Sequence, residues 1–346
     1  MTLAALPDTD AVPGPFWLLS ALHLLTFVLH LLAMSALVGT TSVLLAVRAP
    51  DRWARPAVRR LLALLPTLMA ATVTLGVAPL LFLQLSYGRV AYAAAITSAV
   101  PWILVPFLAM AAYGALYAAS RRPAGDARAG AWLRVALGGL VLVSLVYAST
   151  FALAERPDAY ARLYRATASG LVLNPDVATW GPRWLQAFAS AVALGAFVAA
   201  RVARADDAVA AAARRTLLGA VAVAAVAALL RVGVLDPSLR AALGGAGLGV
   251  FVAGALAPLA AAALLRRGAA VAAGALLVVG LVLSVVARHL ARLGALSGAF
   301  DPAAPAVRPQ HDVFAIFVVC LLVAAGVIAW MLRLWSRAER PDRVGP

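Results

Sequence analysis

The sequence predicts an all-α membrane protein, a polytopic helix bundle of about nine transmembrane helices, and three observations predict it. Of 346 residues, 64% are hydrophobic and 12% charged, against about half and about a quarter in an ordinary soluble domain. The apolar residues gather in runs of roughly 20 or more, long enough to cross about 30 Å of hydrocarbon as helix. Arginines collect in every second gap between runs. Backbone groups in lipid must bond within their own segment, so such runs are helices.

Taken in order, the runs place spans at 16–47, 60–86, 98–119, 131–153, 184–204, 214–235, 246–266, 269–293 and 312–336. The chain reads as a single membrane domain, 1–346, with a short segment 1–15 before it, an outer loop at 154–183 and a tail at 337–346. The first run is too long for a signal h-region and has no basic segment before it, so no cleaved leader is expected. Arg48, Arg52, Arg55, Arg59 and Arg60 follow the first span, and Arg121, Arg122 and Arg128 the third. Arg201, Arg204, Arg214 and Arg215 border the fifth loop, Arg266 and Arg267 the seventh loop, and Arg333, Arg337, Arg340 and Arg343 close the chain. The positive-inside rule puts these in the cytoplasm, with the N-terminus outside and the C-terminus inside. The loop 154–183, with Arg156, Arg162, Arg165 and Arg183, runs against that pattern without reversing it. Topology thus accounts for the net charge of +15 without a nucleic-acid partner. All basic side chains are arginine and alanine is abundant, as in a GC-rich bacterial genome, and the expected location is the bacterial cytoplasmic membrane. The lone Cys320 rules out an intramolecular disulfide or a multi-cysteine metal site within the chain.

Ionisable groups inside a membrane are costly and mark function by default. His23 and His30 lie seven residues apart in the first span, on one face and ~10 Å apart along the axis. His289, flanked by Arg288 and Arg292, closes the eighth span; His311 opens the ninth at the same side; Arg231 lies near the outer end of the sixth. Histidines facing one another in a bundle suit a b-type haem, with arginines for its propionates. Equally, His30 reads as a hydrogen-bonded core residue, and His289 and His311 as interfacial ones. Met34, Met69, Met110 and Met331 are sixth-ligand candidates, although a membrane methionine is more often packing. No Asp or Glu lies mid-span, and no phosphate loop, carboxylate pair or nucleophile with a base is present, which leaves hydrolase and kinase readings without support.

Several strings resemble subunit I of the cytochrome bd-type quinol oxidases. These are Ser20-Ala-Leu-His23 leading to Met34 and Gly39; Thr74-Leu-Gly-Val-Ala78 with Phe82-Leu-Gln-Leu and Tyr87-Gly88; Leu171-Val-Leu-Asn-Pro175; and Asp312-Val-Phe through Cys320. The resemblance implies nine helices and a haem ligand at His23. It also shows departures. Gln186 stands where the family has a fifth-helix histidine, the third-helix glutamates and seventh-helix methionine have no counterparts, and the quinol loop shrinks to about 236–245. The resemblance therefore implies a divergent relative that serves a respiratory complex beside another membrane subunit. It would hold one or two haems or none, would not be catalytic alone, and leaves contact with quinone open. A transporter or channel with a basic outer vestibule built from Arg231, Arg288, Arg292 and the histidines is the other class of reading, and a cofactor-free scaffold a third.

Overall fold

In the computed structural model the chain is described at residues 11–166, 169–233 and 237–338, for the backbone alone at 158, 160–161, 237–243 and parts of 321–338. The expected segment 1–15 and tail 337–346 thus lie largely outside the described residues. Ten helices follow one another: α1 Phe16–Ala46, α2 Pro56–Thr97, α3 Ala99–Ser120, α4 Arg128–Ala154, α5 Pro157–Ala166, α6 Val177–Val202, α7 Asp207–Gly233, α8 Pro237–Arg266, α9 Ala270–Leu296 and α10 His311–Ala338. Eight of them, α1 to α4 and α6 to α9, are long and apolar enough to cross a membrane. The expected ninth span falls on α10, whose described side chains are all exposed except Val318.

Consecutive spans run up and down, so one end of the bundle gathers the start of α1, the ends of α2, α4, α7 and α9, and the start of α6. We call it the upper end; the arginine-rich turns lie at the lower one. Helix α1 is central and packs against α2, α4, α6, α7 and α9, while α8 and α9 form a hairpin against α7, and α3 pairs with α4. Helices α1 and α6 cross so closely that a Cβ on Gly39 would fall 2.4 Å from the Gly195 Cα, and one on Gly195 would fall 1.8 Å from the Ser35 carbonyl oxygen. Two Cβ-free backbones are the condition for that approach.

Five boundaries depart from the runs, two of them the starts of α6 and α7, each seven residues before the expected 184 and 214. The second helix continues past residue 86 to Thr97, kinked at Tyr87 (φ −132°, ψ 20°), because the stretch after Gly88 is rich in helix-forming alanine. Inside the expected loop 154–183 lies α5, started by Pro157 at its first position; it turns Ala159 and Leu163 toward the bundle and leaves Arg162 and Arg165 exposed. Residues expected as a loop at about 236–245 are mostly helix, since α8 starts at Pro237 and breaks only at Gly244 (φ 61°).

The two halves differ in chemistry. The lower half holds the main apolar core, with Leu37, Leu44, Trp53, Leu61, Leu62 and Leu116 among its buried residues. It is closed beneath by Arg55, whose Nε and Nη2 donate to both oxygens of Asp206 at 2.9 and 3.1 Å. Asp206 Oδ1 also accepts from the Ala208 and Val209 amides at the start of α7, so one carboxylate caps a helix and ties two turns together. The Arg55 contact holds the Asp206 carboxyl below its usual range. Asp206→Ala is expected to cost about 1 kcal/mol, the usual worth of a lost cap, read as a lower thermal unfolding midpoint in detergent. The upper half carries the buried ionisable groups His23, Glu155, Arg231 and Arg292.

Candidate functional site

From α1, Phe16, Ser20 and His23 face one way at helical spacing. The His23 ring lies 3.0 Å, through Nδ1, from the Pro79 carbonyl oxygen of α2, and His30 Nδ1 lies 2.9 Å from that of Thr72. A carbonyl can only accept, so each Nδ1 carries the proton and each Nε2 keeps its lone pair. Phe27 stacks between the two rings, with centroids at 5.7 and 6.3 Å. Gly76 lets His30 lie against α2, since a Cβ there would come within 2.9 Å of His30 Nδ1. His30 is therefore fixed by packing, whereas His23 lies two turns nearer the polar cluster, within electrostatic reach of His289, Arg288 and Arg292.

The upper end of α9 supplies the rest. His289 stacks on Phe16 at 6.3 Å, and Phe16 meets the edge of Tyr87 at 6.1 Å. The Arg292 guanidinium lies 5.1 Å over the Tyr87 ring. Glu155, one residue beyond α4 and only 6% exposed, is the hub. Its Oε2 accepts from Arg183 Nη1 at 2.5 Å, while Arg288 Nη2 and Arg292 Nε approach Oε1 at 3.5 and 3.6 Å. Arg231, 8% exposed, donates to Gln186 Oε1 at 2.5 Å and lies over the Phe251 ring. The amide at the position where the resemblance leads one to look for a fifth-helix ligand is thus already engaged.

Local structure explains why these groups meet. The Leu171–Pro175 string is pinned to α4 by the Asn174 amide, which donates to Ser149 Oγ at 2.7 Å, and the Trp180 indole donates to the Asn174 carbonyl at 2.9 Å. That anchors the return of the chain so that Arg183 reaches Glu155, 28 residues back. Arg288 lies within electrostatic reach of three other guanidiniums, those of Arg183, Arg231 and Arg292, and of the Glu155 carboxylate. The cluster is rich in donors and short of acceptors. Several buried atoms in it have no hydrogen bond: Ser20 Oγ, Tyr87 Oη, Glu155 Oε1 and His289 Nδ1. Each such group left unmade costs about 1–3 kcal/mol; a bound acceptor would recover that for the Ser20 and Tyr87 hydroxyls, whereas Glu155 Oε1 needs a donor.

The structure brings His23, His289, Arg288, Arg292 and Arg231 together. His311, exposed at the first residue of α10, makes no hydrogen bond or ring contact with the cluster among the described residues. Met69 belongs to the lower core and Met110 is exposed, and the Met331 side chain lies outside the described residues. Sequence reasoning missed Glu155 and Tyr87 as cluster members. A lone carboxylate directly after an apolar span was the available signal for the first. Among the described residues no three His, Cys, Asp or Glu side chains assemble as an all-protein metal cage. No protein-family model matches the chain, and no curated protein matches its sequence.

Proposed function

We propose that this integral membrane protein binds b-type haem through His23 and serves as an electron-transfer subunit of a respiratory membrane complex. The observation that supports it most is the donor set at the upper end. An Nδ1-anchored His23 with its Nε2 lone pair stands within electrostatic reach of His289 and two arginines. A carbonyl placed as that of Pro79 is, 3.0 Å from Nδ1, is a usual partner of an iron-bound imidazole and fixes its tautomer and ring orientation. The residues also fit the group in charge, since the guanidinium excess suits a ligand bearing carboxylates. Bound there, haem would supply one-electron transfer. His23 on α1 and His289 on α9 would hold the iron, Arg288 and Arg292 would pair with carboxylates, and Phe16, Phe27 and Tyr87 would exclude water.

The arginine-rich lower turns favour a cytoplasmic lower end, which puts the site in the outer half of a bacterial cytoplasmic membrane. The exposed apolar flanks of α10, including Phe314, Phe317 and Trp330, would meet lipid or a second membrane subunit. Kinship to subunit I of the bd-type oxidases belongs to the same reading, in a form reduced to fewer haems. Pyridine haemochrome assay and a reduced-minus-oxidised spectrum of the purified full chain test it. The expected result is bound haem in the wild type, lost in His23→Ala and kept in His30→Ala. Haem retained in His23→Ala would overturn the ligand assignment, and a colourless wild type made with ample haem would overturn the reading.

A further inference from the structure

We propose that Arg288, Arg292 and Tyr87 form a carboxylate-binding site at the upper end of the bundle. Two of the four clustered arginines are already engaged by side-chain acceptors. Arg183 is bound tightly to Glu155, and Arg231 to Gln186. Arg288 and Arg292 share the other oxygen of Glu155 at 3.5 and 3.6 Å, and that oxygen accepts no hydrogen bond. Their charge is compensated in part while their hydrogen-bonding edges are not spent on it. Arg292 is 6% exposed and the Arg288 side chain 24%.

Tyr87 is the independent observation. Its ring is 2% exposed, lies under the Arg292 guanidinium and sits within electrostatic reach of both Arg292 and Glu155. Its hydroxyl has no hydrogen-bond partner. A phenol is placed there by a break in helix α2, the one non-helical residue of that element. Two guanidiniums four residues apart on α9 and one phenolic O–H from α2 are all donors, so the ligand must offer oxygen acceptors and negative charge. A carboxylate does both, and planar guanidinium forks match it in shape.

Two sources present that chemistry. One is the propionate arm of a haem held by His23, about two helical turns (~10 Å) deeper; this source rests on the function proposed above. The other is a free organic acid entering from the upper side, which does not.

The test uses the full chain in mild detergent, as wild type, Arg292→Gln and Tyr87→Phe. In haem-loaded protein, haem per chain and the midpoint potential are measured. In protein made without haem, the thermal unfolding midpoint is measured with succinate and with chloride at equal ionic strength. Tyr87→Phe removes only an oxygen that has no partner, so it leaves the fold intact even where Arg292→Gln does not. With the propionate source, both variants are expected to lose haem severalfold and to show a lower midpoint potential, because a cation that disfavours the oxidised iron is gone or displaced. With the free-acid source, the wild type is colourless yet stabilised by succinate and not by chloride, and both variants lose that stabilisation; the site then stands while the haem reading falls. Haem bound equally by Tyr87→Phe and wild type, with no succinate effect, overturns the site and leaves the haem reading standing. A colourless wild type indifferent to succinate overturns both.

Discussion

Gly195→Ala is expected to lower the stability of the bundle by on the order of 3 kcal/mol, the upper part of the usual range for overpacking. The new Cβ would lie 1.8 Å from the Ser35 carbonyl oxygen and 2.8 Å from the Gly39 Cα. These are backbone atoms of a helix, so no rotamer change relieves the overlap and α1 and α6 must separate. The cost extends beyond the crossing, because α1 is the helix against which five others pack, and His23 rides on it. Gly39→Ala should cost a comparable amount, its Cβ falling 2.4 Å from Gly195. The two changes together should cost less than their sum, since either one already parts the same contact. Gly219→Ala is the matched control. Nothing lies within 4 Å of its Cβ, and in mid-helix alanine is favoured over glycine by up to about 1 kcal/mol. Unfolding by sodium dodecyl sulfate followed by circular dichroism separates the cases. An unchanged midpoint in Gly195→Ala would refute the close crossing.

How much of this was legible before folding depends on the range of the interaction. Apolar runs specify spans because lipid leaves the backbone no alternative to helix, so the extents of α1, α3, α4 and α9 follow within a few residues, whereas α6 and α7 each begin seven residues before their apolar runs. Helix α5 was not legible. It is ten residues long and polar on one side, its partner surface comes from α2 and α4, and only its initial Pro157 signals a start. The local marker of the kink at Tyr87 is the flanking pair Ser86 and Gly88, since neither Pro66 nor Pro79 lies beside it. In the site, the histidines and arginines of α1, α7 and α9 stand out because charge in an apolar run is rare. Glu155 did not, since a carboxylate just after a span looks like an ordinary interfacial residue. Its importance comes from Arg183, 28 residues on, and from Arg288 and Arg292 on α9, pairings that only tertiary structure makes. The same holds for Gln186, whose role depends on Arg231, 45 residues away.

Glu155→Gln is expected to be the most destabilising single change in the upper half. Removing one member of a buried ionic group costs about 3–5 kcal/mol, mostly through the uncompensated charge left behind, and here three guanidiniums lose their shared carboxylate. Glutamine keeps the shape and can still accept one bond from Arg183, which places the expected loss near the low end, about 3 kcal/mol. The pH dependence identifies the cause. Burial pushes the Glu155 carboxyl up, but Arg183, Arg288 and Arg292 outweigh it and hold the group down at about 2, against 4.5 for a free one. A folded value below the unfolded one means that the stabilisation is fully present above about 4.5 and is lost as pH falls toward 2. The stability gap between wild type and Glu155→Gln should therefore stay constant from neutral pH to about 5, then narrow steadily through that window. Asp206 and the other carboxylates titrate alike in both proteins and cancel in the difference. A gap independent of pH down to 2 would mean that Glu155 acts through packing alone. A variant as stable as wild type would mean that the arginines have another counter-charge, and the first place to look for it is the carboxylate site between Arg288, Arg292 and Tyr87.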